Sequence, residues 1–146
     1  MKPEQFLNHL NDDRIVAAIA EAERRTTGEI RVFVSGRRLG RDSIAQRAEA
    51  RFRKLGMAST RERNAVLIYF VPRDQKFAVI GDRAIHEKCG PAFWKDVAGT
   101  LEKGLRCGSF TDAVAAAIEQ TSSALARHFP VTSDQKNELP DRIERD

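Results

Sequence analysis

Two apolar runs separated by four residues constrain this chain more than any other feature. Asn64 to Val71 (NAVLIYFV) is apolar on both of its alternating faces, and such a strand is stable only when helices cover its sheet on two sides. Pro72-Arg73-Asp74-Gln75 interrupts the run, and Lys76 to Gly81 (KFAVIG) resumes as a second continuous apolar strand. So short a link permits only an antiparallel hairpin. With 146 residues the chain can build one such sheet and its covering helices, but not a second independent core.

The flanking segments read as those helices. Pro3, Phe6, Leu7 and Leu10 predict a short helix at 3–10, with proline at a first helical position. Arg14 to Thr26 follows, capped by Asp12 or Asp13, with Ile15, Ile19 and Ala22 on one face and Gly28 as its stop. Glu29 to Ser35 (EIRVFVS) alternates and predicts a strand with one partly wet face near a sheet edge. In Ser43 to Leu55, Ile44, Ala48, Phe52 and Leu55 make an apolar face. Arg47, Arg51 and Lys54 form a stripe about 100° from it, addressed outward by the helical period. Pro91 opens a helix with Trp94, Val97, Ala98, Leu101 and Leu105 on one face, and a last helix from Ser109 carries Val114, Ile118, Thr121 and Leu125 to its stop at Pro130. Residues 1–130 are thus expected to form one domain. The remaining sixteen, with eight charges, are expected to be a poorly ordered tail.

A strand, helix, strand succession favours a parallel pair with a right-handed crossover. Together with the hairpin it predicts an α/β three-layer sandwich around a small mixed sheet in the order first, second, third strand. That order brings the start of the first strand (Glu29), the start of the second (Arg63-Asn64) and the end of the third (Gly81-Asp82) to one end of the sheet. Two carboxylates and an amide are expected to meet there.

Composition narrows the function classes without naming one. The longest apolar run, Ala65 to Val71, is far short of the roughly 20 residues that span a bilayer, and no apolar run follows Met1-Lys2-Pro3-Glu4-Gln5, so the expected address is the cytoplasm. Cys89 and Cys107 are the two cysteines, which excludes a disulfide framework and a Cys₄ zinc site. His86 and Cys89 have ligand-like spacing but lack two further ligands nearby. Net charge is +4, yet residues 24–63 hold twelve Lys/Arg against four Asp/Glu. That region suits an anionic partner, although a solvated surface is the commoner use of such charge. No nucleic-acid module is readable, and the basic stretch lacks interleaved exposed aromatics.

The order Ala22-Glu23, Thr27-Gly28-Glu29-Ile30, Leu55-Gly56-Met57, Arg63-Asn64, Val66-Leu67-Ile68 and Phe77-Ala78-Val79-Ile80-Gly81-Asp82 resembles the TPM domain. The resemblance runs from Asp12 to Pro130. Phe93-Trp94 and His128-Phe129-Pro130 are similar to a short soluble bacterial branch of that family. Two positions depart from the usual pattern: Ala65 stands where glycine commonly follows the asparagine, and Ala84 where glycine follows Gly-Asp. The resemblance implies a helix-flanked α/β sheet. It also implies either a binding or assembly role tied to membrane complexes or an acid phosphatase activity with a divalent-cation site.

On the second implication, Glu29, Asp82 and the Asn64 carbonyl would ligate calcium or magnesium, and Arg63 and Arg83 would meet phosphate oxygens. Asp and Asn also cap helices and fix turns, which is the commoner reason for their presence at such positions. The expected function is therefore a binding or assembly module for an acidic or membrane-associated protein, contacted through Arg47, Arg51 and Lys54. The alternative is a divalent-cation-dependent, acid-phosphatase-like hydrolase. No catalytic side chain is readable.

Overall fold

A computed structural model describes residues 11–131 and 143–146. Helix α1 (Asp12–Arg25) leads into strand β1 (Glu29–Val34), and helix α2 (Ile44–Lys54) connects it to β2 (Ala65–Val71). A one-turn 3-10 link, Pro72–Asp74, joins β2 to β3 (Lys76–Gly81). Helices α3 (Arg83–Arg106) and α4 (Phe110–His128) follow, and Glu144–Arg145 form a short β4. The sheet order is β3-β2-β1-β4, with β1 parallel to both neighbours and β2-β3 antiparallel. This is the mixed-sheet α/β sandwich that the two apolar runs require. The helix expected at 3–10 lies outside the described residues.

Alternation along the strands divides the interior into two cores. Ile30, Val32, Val34, Val66, Ile68 and Phe70 pack with Ile15, Ile19, Val97, Leu101, Val114 and Ile118 from α1, α3 and α4. Phe33, Ala65, Leu67, Tyr69 and Val71 pack on the other face with Ala48 and Phe52 of α2 and with Met57. All seven residues of β2 are buried, as a strand covered on both sides must be.

Local rules set the helix ends, with some differences from expectation. Asn11, not Asp12 or Asp13, caps α1, accepting from the Arg14 N–H, which leaves the two aspartates in the first turn where the helix dipole favours them. Ser43 and Gln46 form a reciprocal capping box at the start of α2. Helix α3 begins at Arg83, eight residues before Pro91, and is broken by Gly90 (φ 74°, ψ 173°), so Pro91 opens its second segment.

Two larger corrections concern the edges. Strand β1 is neither half-wet nor at the edge: all six residues are buried, because β4 lies on its far side. Alternation puts Arg31 and Phe33 together on one face of the strand, but Arg31 pairs with Glu144, and Phe33 stacks on Tyr69 with ring centroids 5.3 Å apart. Strand β3 occupies the other edge, where the expected strand order puts it, and leaves Phe77 to Ile80 half-buried. The tail also differs from expectation. Residues 132–142 lie outside the described residues, but 143–146 pack on β1 rather than standing free, because their charges find fixed partners there.

Helices α3 and α4 cross closely at Gly104, where an added Cβ would stand 2.2 Å from the Cβ and 3.2 Å from the Cα of Ala113. Gly99, on the same helix, has nothing within 4 Å. Helix propensity alone would make alanine stabilising at both positions by about 0.5–1 kcal/mol. Gly99→Ala should show that gain in urea denaturation. Gly104→Ala should reverse the sign and lose about 1–3 kcal/mol, as overpacking against a neighbouring backbone does.

Candidate functional site

The strand register assembles the predicted sheet end. Glu29 is opposite Ala65, Val66 is opposite Gly81, and the Asp82 N–H donates to the Ala65 carbonyl at 3.0 Å. Glu29 and Asp82 therefore flank Ala65 in one row. Two strand spacings separate their backbones, about 10 Å.

Asp82 is 8% exposed and heavily engaged. It caps α3 by accepting the Arg83 N–H at 2.7 Å. The Arg63 guanidinium grips both its oxygens, Nε to Oδ2 at 2.8 Å and Nη2 to Oδ1 at 3.1 Å. That hydrogen bond first, and the carboxylate charge second, raise the Arg63 pKa above its ordinary value. Arg63 holds a left-handed backbone (φ 54°), and its carbonyl accepts the Ala84 N–H at 3.1 Å. A non-glycine residue stays in that region only where its surroundings fix it, and here the ion pair and the Ala84 bond do so. Arg83 itself is exposed on the first turn of α3.

Asn64 is committed as well. Its Nδ2 donates to Thr27 Oγ1 at 3.0 Å, and that hydroxyl donates to Glu62 at 3.0 Å. The Thr27 N–H in turn donates to the Phe129 carbonyl at 2.9 Å, fastening the entry to β1 against the end of α4. The Asn64 carbonyl lies over Gly28, where a Cβ would stand only 3.1 Å from its oxygen and 2.9 Å from Leu125. Glu29 is 1% exposed. Among the described residues, no group of three or more His, Cys, Asp or Glu side chains is placed to hold a metal ion. The three predicted ligands thus share one sheet end, with Asp82 and the Asn64 amide serving as cap, ion-pair partner and turn lock.

The basic stripe on α2 is not addressed outward as its spacing suggested. Arg47 turns inward, donating to Tyr69 Oη at 3.2 Å, the Arg38 carbonyl at 2.9 Å and the Arg37 carbonyl at 3.0 Å. Arg51 lies over the Phe33 ring, 4.4 Å from its centroid, and pairs with Asp146 at 3.3 Å. Lys54 alone of the three is exposed. These three, with Ala50 and Tyr69, line a shallow cavity of about 190 Å³. Helical spacing could not reveal this, because the carbonyls of a loop and a distant strand make long side chains bend back.

Sequence reasoning missed Arg31 and its counterparts Glu144 and Asp146. A single arginine inside the apolar run EIRVFV was the available signal, since a charge on a covered strand needs an opposite charge beside it. His86 packs on Trp94 at 5.1 Å, and Cys89 is a half-buried thiol whose pKa is pushed up by burial against the opposing pull of Arg127.

Comparison with known proteins returns one family. The TPM domain model matches residues 1–124. Among solved structures, the chain is similar to the BA42 protein from the psychrophilic bacterium Bizionia argentinensis, determined by NMR. The identity is 32% over 94% of this chain and 96% of that one, with a TM-score of 0.85. No curated protein matches.

If Asp82 is chiefly a cap and an ion-pair partner, its variants should rank by what they can still accept. Asp82→Ala should lose about 1–2 kcal/mol in chemical denaturation through the missing cap alone. Asp82→Asn, which can still cap α3, should lose clearly less. Equal losses would show that the charge, not the cap, dominates.

Proposed function

We propose that this chain, which belongs to the TPM domain family, acts as a binding or assembly module whose partner is an acidic protein, free or membrane-associated. The observation that carries this reading is the engagement of Asp82, with Arg63 on both oxygens and the α3 N-terminus on one. A cation-dependent hydrolase would need that carboxylate open to the ion, and would need the ion to hold substrate in line with a nucleophile. The Thr27, Glu62 and Asn64 chain supports the same reading, because it uses the sheet end to fasten loops together. The acidic character of the partner is supported by the exposed Arg37, Arg38, Arg41, Arg53 and Lys54, which surround α2 and the loop before it. No helix among the described residues is long and apolar enough to cross a membrane, so contact with a membrane complex would run through a partner or through these surface charges.

The competing reading is an acid-phosphatase-like hydrolase with calcium or magnesium on Glu29, Asn64 and Asp82, and with Arg63 and Arg83 on the phosphate. Aryl phosphate offered at acidic and neutral pH, with either cation in excess, separates the two. The module reading expects no turnover above the protein-free rate. Turnover that needs the cation and disappears in Asp82→Asn would put the hydrolase first.

A further inference from the structure

The outer edge of β1 is built like a receptor for an extended acidic segment. Arg31 lies on the covered strand with its side chain 4% exposed, and it pairs with Glu144. Its Nε is buried with no hydrogen-bond partner among the described residues. Two positions further along the same face, Phe33 carries the Arg51 guanidinium on its ring. Beyond the strand end, the Gly36 N–H donates to Asp146 at 3.1 Å, while Arg51 reaches that carboxylate at 3.3 Å. Glu144 pairs with Phe33 and Arg145 with Val34 in parallel register. In an extended chain, residues two apart share a face, so Glu144 and Asp146 present both carboxylates to Arg31 and Arg51 while Arg145 turns away to Asp12 at 2.6 Å.

We propose that this edge is a docking groove for a partner segment of the pattern acidic-x-acidic, added as a parallel strand beside β1, and that residues 143–146 occupy it in cis as a removable mimic of that segment. The inference rests on the binding-module reading and names its partner chemistry. Strand addition takes affinity from main-chain hydrogen bonds and specificity from alternate side chains. Here the alternate side chains are read by a buried arginine and by an arginine held on an aromatic ring, and such charge-assisted bonds are the strong kind. The cis occupant uses the site incompletely. A carboxylate seated squarely on Arg31 would take Nε as well as Nη2, and that Nε is left over here. Among the described residues the β4 pairing extends over two residues, and a partner strand that also seats a carboxylate on the Arg31 Nε would hold the groove more completely and displace the strap. Until it does, the strap competes as a ligand carried by the same chain, which makes its rebinding intramolecular.

The test uses the full chain and a fluorescein-labelled synthetic peptide with the sequence of residues 140–146, followed by fluorescence anisotropy. The double variant Glu144→Gln/Asp146→Asn weakens the strap and leaves the groove untouched. It should bind the peptide at least about tenfold more tightly than the wild type, which must first release its own strap. The affinity should fall with added salt. It should be lost for the same peptide carrying glutamine and asparagine in place of its Glu and last Asp, and it should drop when Arg51→Gln is added. Should the double variant fail to fold, Asp12→Asn loosens the strap from the exposed surface of α1 and carries the same expectation. Equal binding by strapped and loosened chains, or equal binding of the acidic and amide peptides, would overturn the proposal. Failure here with no phosphate turnover would leave the module reading in place on another surface; cation-dependent turnover would defeat that reading whatever the peptide does.

Discussion

Strand β2 has no face turned to water, and the rest of the structure answers to that. Its seven residues are all buried, so one layer of helices must lie on each side, and the connections must pass over the sheet rather than around it. Helix α2 forms the crossover from β1 and covers one side, with Phe52 and Ala48 inward. Helices α1, α3 and α4 cover the other. Helices α3 and α4 share that side and cross closely at Gly104.

A sheet with one enclosed strand still has two rims, and the molecule treats them differently. The β3 rim is shielded by half-buried Phe77 and Val79 packed against the larger core. The β1 rim contains a charge, Arg31, where the surrounding residues are apolar. An arginine so placed is costly unless a carboxylate meets it, and Glu144 does. The same physical demand makes the rim selective, because an apolar or basic strand laid there would leave the arginine without a partner. At the opposite end of the strands, Asp82 and Asn64 are spent on holding loops, which leaves the rim as the surface proposed for binding.

Much of this fold was legible in the sequence for a simple reason. Apolar continuity in Ala65 to Val71 and the four-residue break after it leave few arrangements, and the strand order β1-β2-β3 follows from connection lengths. The convergence of Glu29, Asn64 and Asp82 at one sheet end was legible through the same topology. Long polar side chains were not. Arg47 and Arg51 sit on the predicted helix at the predicted angle, yet their guanidinium groups reach Tyr69, Phe33 and two loop carbonyls, and no periodicity encodes where a flexible stem ends. The pairing of Arg31 was not legible, because alternation gives the face but not what covers it. Its cover, residues 143–146, is a charged segment more than a hundred positions away, which composition alone describes as tail.

Native-state hydrogen exchange tests the central claim most directly, that the β1 rim is closed by a strap able to leave without unfolding the core. The Ser35 N–H bonds to β2 through the Phe70 carbonyl, so by alternation the Val34 N–H faces β4, and the Gly36 N–H bonds to Asp146. Val34 and Gly36 should exchange through a small local opening that depends little on denaturant, while the amides of β2 exchange only with global unfolding. If Val34 and Gly36 instead share the exchange free energy and denaturant dependence of β2, residues 143–146 are a fixed part of the core and the rim is not a docking site.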